Sequence, residues 1–321
     1  MGHRRYIGKK IFHALLTIFF VLTFNFFLFR VMPGDPISLL ARSERLTPQD
    51  IAEQKRLYGL DAPLPEQYLI YLRQTLTGHL GVSLRTGESV SATIWDRLPP
   101  TVLLVGLGTL LAAGFGVLIG IRGAWHRGSA FDNSTLLGSL VLYSVPEGWL
   151  GMLLLILFAG TLGWFPAGGY SSGTTTGFAR VIDIANHLVL PLLTLTLGYI
   201  GEYVIIMRSS LLEVMNEDFL LTARAKGVPE RLVRRDHAVR NAFLPTFSLL
   251  CLSFGFILGG AIVIETVFSW PGLGELTYDA INQLDYPVLQ GVFLVSSIAV
   301  ILANLAADLT YGYLDPRIRE A

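Results

Sequence analysis

Three carboxylates, Glu147, Glu202 and Glu265, interrupt long apolar runs of the 321-residue sequence. An ionised group in hydrocarbon is costly unless it is paired, protonated or facing a water-filled space. Carboxylates so placed suit recognition of a cationic group or relay of a proton, which makes all three candidates for a translocation path. Glu147 follows Pro146 about ten residues into its stretch, near the middle of a bilayer. Glu202 precedes Arg208 by six residues, about 9 Å along a helix axis, and is expected to face an inner wet space. Glu265 lies near the end of its stretch, within reach of interfacial water. The structural alternative is a buried pair with another chain, or with a backbone donor freed by Pro146.

Catalytic chemistry finds little support. The sequence has no His-Glu-x-x-His helix, no Gly-x-Ser-Gly nucleophile loop and no pair of intramembrane aspartates in glycine context. Gly8-Lys9-Lys10 is the only Gly-Lys pair, and it lacks the upstream glycine and the hydroxyl residue of a phosphate cradle. The sequence therefore carries no such phosphate-binding loop. A lone cysteine, Cys251, forms no intrachain disulfide and holds no structural zinc. No metal ligand set is expected, and His13 and His187 read as hydrogen-bonded residues at span ends.

The elements that must position these groups follow from composition. Hydrophobic residues make up 52% of the chain and charged ones 15%, where a soluble domain carries about a quarter charged. Lys plus Arg number 24, as do Asp plus Glu, so a cationic nucleic-acid surface is disfavoured. Six stretches, 11–32, 101–121, 136–160, 187–207, 243–268 and 288–311, have the length of about 20 apolar residues that a spanning helix needs. Backbone groups in lipid must bond internally, and these runs are too long for barrel strands, so an all-α membrane protein with six transmembrane helices is expected. The first stretch follows Arg4, Arg5, Lys9 and Lys10 but is too long for a secretion signal and lacks a small-residue cleavage site, so it reads as a retained anchor.

With the N-terminus inside, 15 of the 24 basic residues fall on inner segments, and most others lie in the long first outer loop, where the bias is weak. Both termini are then expected in the cytoplasm. The loop 33–100 carries its own helix signals. Thr47-Pro48-Gln49-Asp50 opens a helix that Gly59 stops, and a second follows Pro65 with Leu69, Leu72 and Leu76 on one face before Gly78. They would form a small extracytoplasmic subdomain lying on the membrane or on a partner. The expected division is residues 1–32 as N-terminus and first span, 33–100 as subdomain, 101–312 as five-span core and 313–321 as cytoplasmic tail.

The core includes a polar loop, 208–242. Asn216 or Asp218 can cap a helix, Lys226 sits in its last turn, and Gly227 can take a left-handed cap before Pro229 and a second helix. Thr222, Ala223 and Ala225 permit close approach to another surface, and Arg224 and Lys226 offer charge pairs at its edge. On spacing alone, a basic loop that only fixes topology is an equal alternative.

Thr222-Ala223-Arg224-Ala225-Lys226-Gly227, with Leu244-Pro245 beyond it, resembles the cytoplasmic "EAA" loop of binding-protein-dependent ABC importer permeases of the peptide and nickel group. The resemblance covers nearly the whole chain. Pro33-Gly34-Asp35-Pro36, Tyr58-Gly59-Leu60-Asp61, Leu80-Gly81-Val82-Ser83, Arg97-Leu98-Pro99, Glu265 to Gly274, Asp285-Tyr286-Pro287 and Leu314-Asp315-Pro316-Arg317 are similar to the B-type subunit of dipeptide and oligopeptide importers. It implies a type I importer fold in a bacterial or archaeal cytoplasmic membrane. Its partners would be a second, homologous permease, two cytoplasmic ABC ATPases that bind ATP and Mg, and an extracytoplasmic substrate-binding protein. No cofactor would sit in this chain. The resemblance makes Asp218, Thr222, Ala223, Arg224, Ala225, Lys226 and Gly227 the ATPase-coupling residues, and Glu147 and Glu202 depart from the usual family pattern. Nickel chelates and saccharides are alternative substrates of the same architecture. An ion-coupled secondary transporter relaying protons through Glu147 and Glu202 is the alternative of a different class.

Small residues at four-residue intervals, Gly108, Ala112, Gly116 and Gly120, and likewise Ala299, Ala303 and Ala307, predict close helix–helix contact. Gly255 and Gly259 repeat the pattern, and Asn304 and Asp308 read as structural.

Overall fold

The computed structural model describes residues 3–31, 62–257 and 261–314, and among them the regular structure is helical apart from an isolated bridge between Val82 and Ser89. The helix expected from Thr47 to Gly59 lies outside the described residues. In chain order the helices are α1 (His3–Val31), α2 (Leu64–Leu76), α3 (Val90–Trp125), α4 (Ala130–Ser144), α5 (Glu147–Thr161) and α6 (Phe178–Val214). They continue with α7 (Asp218–Ala225), α8 (Glu230–Gly255), α9 (Ile262–Val267), α10 (Leu273–Gln283) and α11 (Tyr286–Leu314). Helices α1, α3, α6, α8 and α11 are each long and apolar enough to cross a membrane, and α4 with α5 makes a sixth candidate bent by 100°.

That bend corrects the single straight span expected over 136–160. Pro146 has no N–H to donate and disfavours the helical conformation at the residue before it. Val145 is accordingly extended, at φ −79° and ψ 126°, and α5 starts afresh with Pro146 at its N-cap. A second correction concerns α3, which begins at Val90 rather than near 101. Pro99 and Pro100 lie within it, and the turn that follows, Val102–Gly106, is π-helical, so the hydrogen-bond ladder resumes in a new register. The stretch expected as one span over 243–268 divides into α8 and α9, and α10 was not anticipated.

The chain forms two compact units. The first comprises residues 1–101, 258–262 and 271–321. Its core joins Val90 and Ile94 of α3 to Leu273, Leu276 and Ala280 of α10 and Val288, Leu289 and Val292 of α11. Gly291 permits the approach, because a Cβ there would stand 2.6 Å from Val90 Cγ1. Helix α1 lies along α11: Lys10 Nζ donates to Asp308 at 2.8 Å, and buried Asn25 donates to the Gln290 carbonyl at 3.2 Å. Phe26 packs against Tyr68 and Tyr71 of α2, with ring centroids 5.2 and 5.4 Å apart. On α2 the expected apolar face is present, but Leu69 and Leu76 are exposed.

The turn before α3 is pinned to the start of α11. Asp285 accepts from the Ser83 hydroxyl and, at 3.2 Å, from the Leu84 amide, while Ser83 Oγ accepts from the amides of Arg85 and Thr86. Arg97 pairs with Glu275 at 2.9 Å. Burial pushes the Glu275 carboxyl up and the arginine opposes that rise.

The second unit, residues 102–257 and 263–270, is built around α6, against which α4, α5, α8 and the Leu107–Trp125 part of α3 all pack. The small-residue stripe of α3 faces α6 as expected. A Cβ on Gly108 would meet Leu195, one on Gly116 would stand 2.5 Å from Tyr203 Cβ, and one on Gly120 would stand 2.8 Å from the Val204 carbonyl oxygen. Helix α4 approaches through Gly201, where a Cβ would meet the Ser139 carbonyl. Arg208 then clamps α6 to the start of α4 by donating to both carboxylate oxygens of Asp132, at 2.6 and 2.8 Å. Asp132 is 1% exposed and also accepts from the Gly128 amide at 2.9 Å. Loss of Arg208 would leave the Asp132 carboxylate without its two charged donors, which is destabilising.

If bare backbone at the α3–α6 contact holds the second unit together, one methyl group there is destabilising. Gly116→Ala is expected to lower stability by about 1–3 kcal/mol through overpacking. Gly114→Ala, where nothing lies within 4 Å, should be neutral or stabilising by up to about 1 kcal/mol. Thermal unfolding of the two variants in the same detergent checks this, and equal midpoints would refute it.

Candidate functional site

The loop expected from 208 to 242 is a helix, a tight turn and a helix. After α6 ends at Val214, the Asn216 side-chain amide donates back to the Leu212 carbonyl at 3.0 Å. The N-cap of α7 is therefore neither Asn216 nor Asp218 but Glu217, in extended conformation and without a side-chain cap bond. Asp218 opens the first turn, where its charge favours the helix dipole. Leu220 and Ala223 turn inward, 0% and 7% exposed, onto Met207 and Leu211 of α6 and Val233, Ala238 and Ala242 of α8. Phe219, Leu221, Thr222, Arg224 and Ala225 stay exposed, so α7 is a two-sided element seated on one face and open on the other.

Its end is a complete left-handed cap. Gly227 has φ +74°, its amide bonds the Arg224 carbonyl at 2.9 Å, and the Val228 amide bonds the Ala223 carbonyl at 3.2 Å. Nothing lies within 4 Å of a Cβ built on Gly227, so backbone conformation rather than space demands glycine there. Lys226 is the exposed C-cap, and Pro229 is the N-cap of α8. Across the turn Arg224 donates to Glu230 from two nitrogens, each at 3.2 Å. That exposed pair bridges the turn between α7 and α8, a contact that spacing in the sequence did not reveal.

The structure brings two of the three carboxylates to one helix face. Glu147 stands in the first turn of α5, just past the 100° bend, and its stem lies on the bare backbone of Gly198, where a Cβ would be 3.4 Å from Glu147 Cγ. Glu202 follows one turn later on α6, and Tyr199 lies within electrostatic reach of both. Both glutamates are half-buried, and among the described residues neither has an ion-pair partner.

Glu265 is different. Expected at interfacial water, it is 0% exposed, because the chain folds back after α9 through Ser269 at φ +47° and buries Phe268 and Trp270 beside it. Helix α9 packs on α5 at Gly148 and Gly151, where a Cβ would meet Val263 and Phe268 respectively. Glu265 is thus enclosed by the fold. His187 is hydrogen-bonded as expected, donating from Nδ1 to the Asp183 carbonyl at 2.8 Å, but it lies nine residues inside α6 rather than at a helix end. Among the described residues no group of three or more His, Cys, Asp or Glu residues is placed to hold a metal ion.

Comparison with known proteins gives this arrangement its context. Residues 115–320 match the family described as binding-protein-dependent transport system inner membrane component, and residues 3–105 match the N-terminal family of such membrane components. The chain is 39% identical to the di/tripeptide transport system permease protein DppB of Pseudomonas aeruginosa over 98% of each chain. It is 34% identical to the oligopeptide transport system permease protein AppB of Bacillus subtilis, again over 98% of both, and 36% identical to the dipeptide transport system permease protein DppB of Escherichia coli over 93% of both. The chain belongs to the family of binding-protein-dependent transport system inner membrane components.

Proposed function

We propose that the chain is one permease subunit of an ATP-driven importer of peptides. The observation that carries this reading is α7: a helix buried on one side, exposed on the other and rigidly capped at Gly227, borne between two helices long enough to cross the membrane. Such a knob fits a cleft on a soluble ATPase and would pass the movement of that cleft to α6 and α8. End-to-end similarity to permeases named for dipeptide and oligopeptide transport supports peptides as the cargo. The basic residues of α7 and α8 support a cytoplasmic position for this face, and with it for both chain termini, by the positive-inside bias.

In the assembled importer a second, homologous permease would complete the path and two ATPases would bind ATP and Mg at their own sites. An external binding protein would deliver the peptide. Glu147 and Glu202 would line the path near Tyr199, where carboxylates with no ion-pair partner among the described residues would favour a peptide's ammonium group or a cationic side chain. Glu265, enclosed, would act by holding α9 in place.

Co-purification tests the assembly. The tagged chain, expressed with the other subunits of its importer, should retain a second permease and two ATPases. Gly227→Val, which forces a β-branched residue into the left-handed region at about 1–2 kcal/mol, should cut ATPase retention and uptake, while Gly227→Asn should keep most of both. Uptake driven by a proton gradient with no ATPase retained would instead establish a secondary transporter. Charge selection is tested separately with Glu147→Gln. Uptake of peptides with Lys or Arg side chains should fall more than uptake of neutral ones, and equal losses would contradict a role in selection.

A further inference from the structure

An open groove of about 510 Å³ at the end of α3 belongs neither to the exposed face of α7 nor to the carboxylate pair. Leu118, Ile121, Arg122 and Trp125 of α3 line it together with Arg234 and Arg235 of α8. Its chemistry changes along its length. Leu118 is 65% exposed and, with Ile121, belongs to the long apolar helix, seven residues before Trp125 or about 10 Å deeper along the axis. The far end is aromatic and cationic. The Arg234 guanidinium lies 4.0 Å from the centre of the Trp125 ring, and that of Arg122 lies 5.3 Å from the centre of Phe131. A guanidinium laid against a ring keeps its N–H edge available to a second partner.

Nearby carboxylates do not consume these charges. Asp236 is held by Arg235 at 2.7 Å, and Glu230 by Arg224 at 3.2 Å while lying within electrostatic reach of Arg234. Among the described residues neither Arg122 nor Arg234 has a carboxylate at ion-pair distance. The π-helical turn Val233–Val239 carries Arg234 and Arg235 at the start of α8.

We propose that this groove binds an anionic phospholipid, with its phosphate on Arg122 and Arg234, its headgroup beside Trp125 and an acyl chain along Leu118 and Ile121. Charge complementarity selects an anion, and the exposed apolar floor selects one that carries a hydrocarbon tail. A soluble protein partner would not reach Leu118 within the span, and a free phosphate would leave that floor uncovered. Basic pockets between spanning helices at a cytoplasmic face are suited to such headgroups. The site would anchor the first turns of α8, next to the seat of α7, to the lipid surface.

Native mass spectrometry of the purified full-length chain, mixed with equal amounts of dioleoylphosphatidylglycerol and dioleoylphosphatidylcholine, tests the proposal. The anionic lipid should be retained in preference. Arg122→Gln with Arg234→Gln should weaken its retention by about 30-fold, roughly fivefold for each basic group at an anionic surface. The corresponding pair of Lys substitutions should keep most of the binding, and Arg180→Gln, outside the groove, should keep all of it. Leu118 is exposed, so Leu118→Gln probes the apolar floor without entering the core and should weaken retention several-fold. Equal retention of both lipids, or an unchanged double Gln variant, would overturn the proposal. So would displacement of the lipid by millimolar inorganic phosphate, or loss of ATPase co-purification from the double variant while lipid retention persists.

Discussion

Close approach of backbones along α6 is the constraint on which the second unit depends. Lipid offers little hydrophobic drive for one apolar helix to leave it and join another, so contact must come from packing at short range. Gly108, Gly116 and Gly120 supply that range to α3, Gly201 admits the Ser139 carbonyl of α4, and Gly198 leaves room for the stem of Glu147 on α5. Polar links then fix the register. Tyr203 bonds Ser253 of α8 at 3.0 Å, and Arg208 grips Asp132 with two hydrogen bonds. Neither link could form if side chains held the helices a further ångström or two apart.

Because these contacts converge on one helix, α6 joins the seat of α7 to the pair of half-buried carboxylates. Glu202 lies nine residues before Leu211, about 14 Å along a straight axis, and Leu211 is part of the seat of α7. A displacement of α7 therefore has a short, packed route to the pair of half-buried carboxylates. The route contains the Arg208–Asp132 clamp, which ties α4 to the same movement. In the other unit the analogous fastening is polar and local, with Asp285 gathering the Ser83 turn while Arg97 meets Glu275.

Much of this was legible in the sequence. The apolar runs located the helices because hydropathy over 20 residues is a strong signal, and the Gly-x-x-x-Gly spacing of α3 announced a contact face. Gly227 before Pro229 foretold the capped turn, because few residues other than glycine settle at positive φ. What stayed hidden was long-range. Asp132 and Arg208 are 76 positions apart, and nothing local marks them as partners. The bend at Val145 was hidden by continuous hydropathy on both sides of Pro146. The start of α3 was hidden because Pro99 and Pro100, of a residue type that usually interrupts a helix, lie inside it ahead of the π-helical turn Val102–Gly106. Enclosure of Glu265 depends on the fold-back at Ser269, where a non-glycine residue takes positive φ and no pattern warns of it.

If α6 carries the movement of α7, the two helices must move as one body. Spin labels on cysteines at Thr222 and Glu213, both exposed, in a Cys251→Ser background would report the distance between α7 and the end of α6 by pulsed dipolar spectroscopy. A single narrow distance, unchanged between the nucleotide-free and the ATP-bound importer, is the predicted result. A broad distribution, or a shift of about 5 Å or one helical turn on ATP binding, would contradict it, because α7 would then hinge on its seat instead of carrying α6 with it.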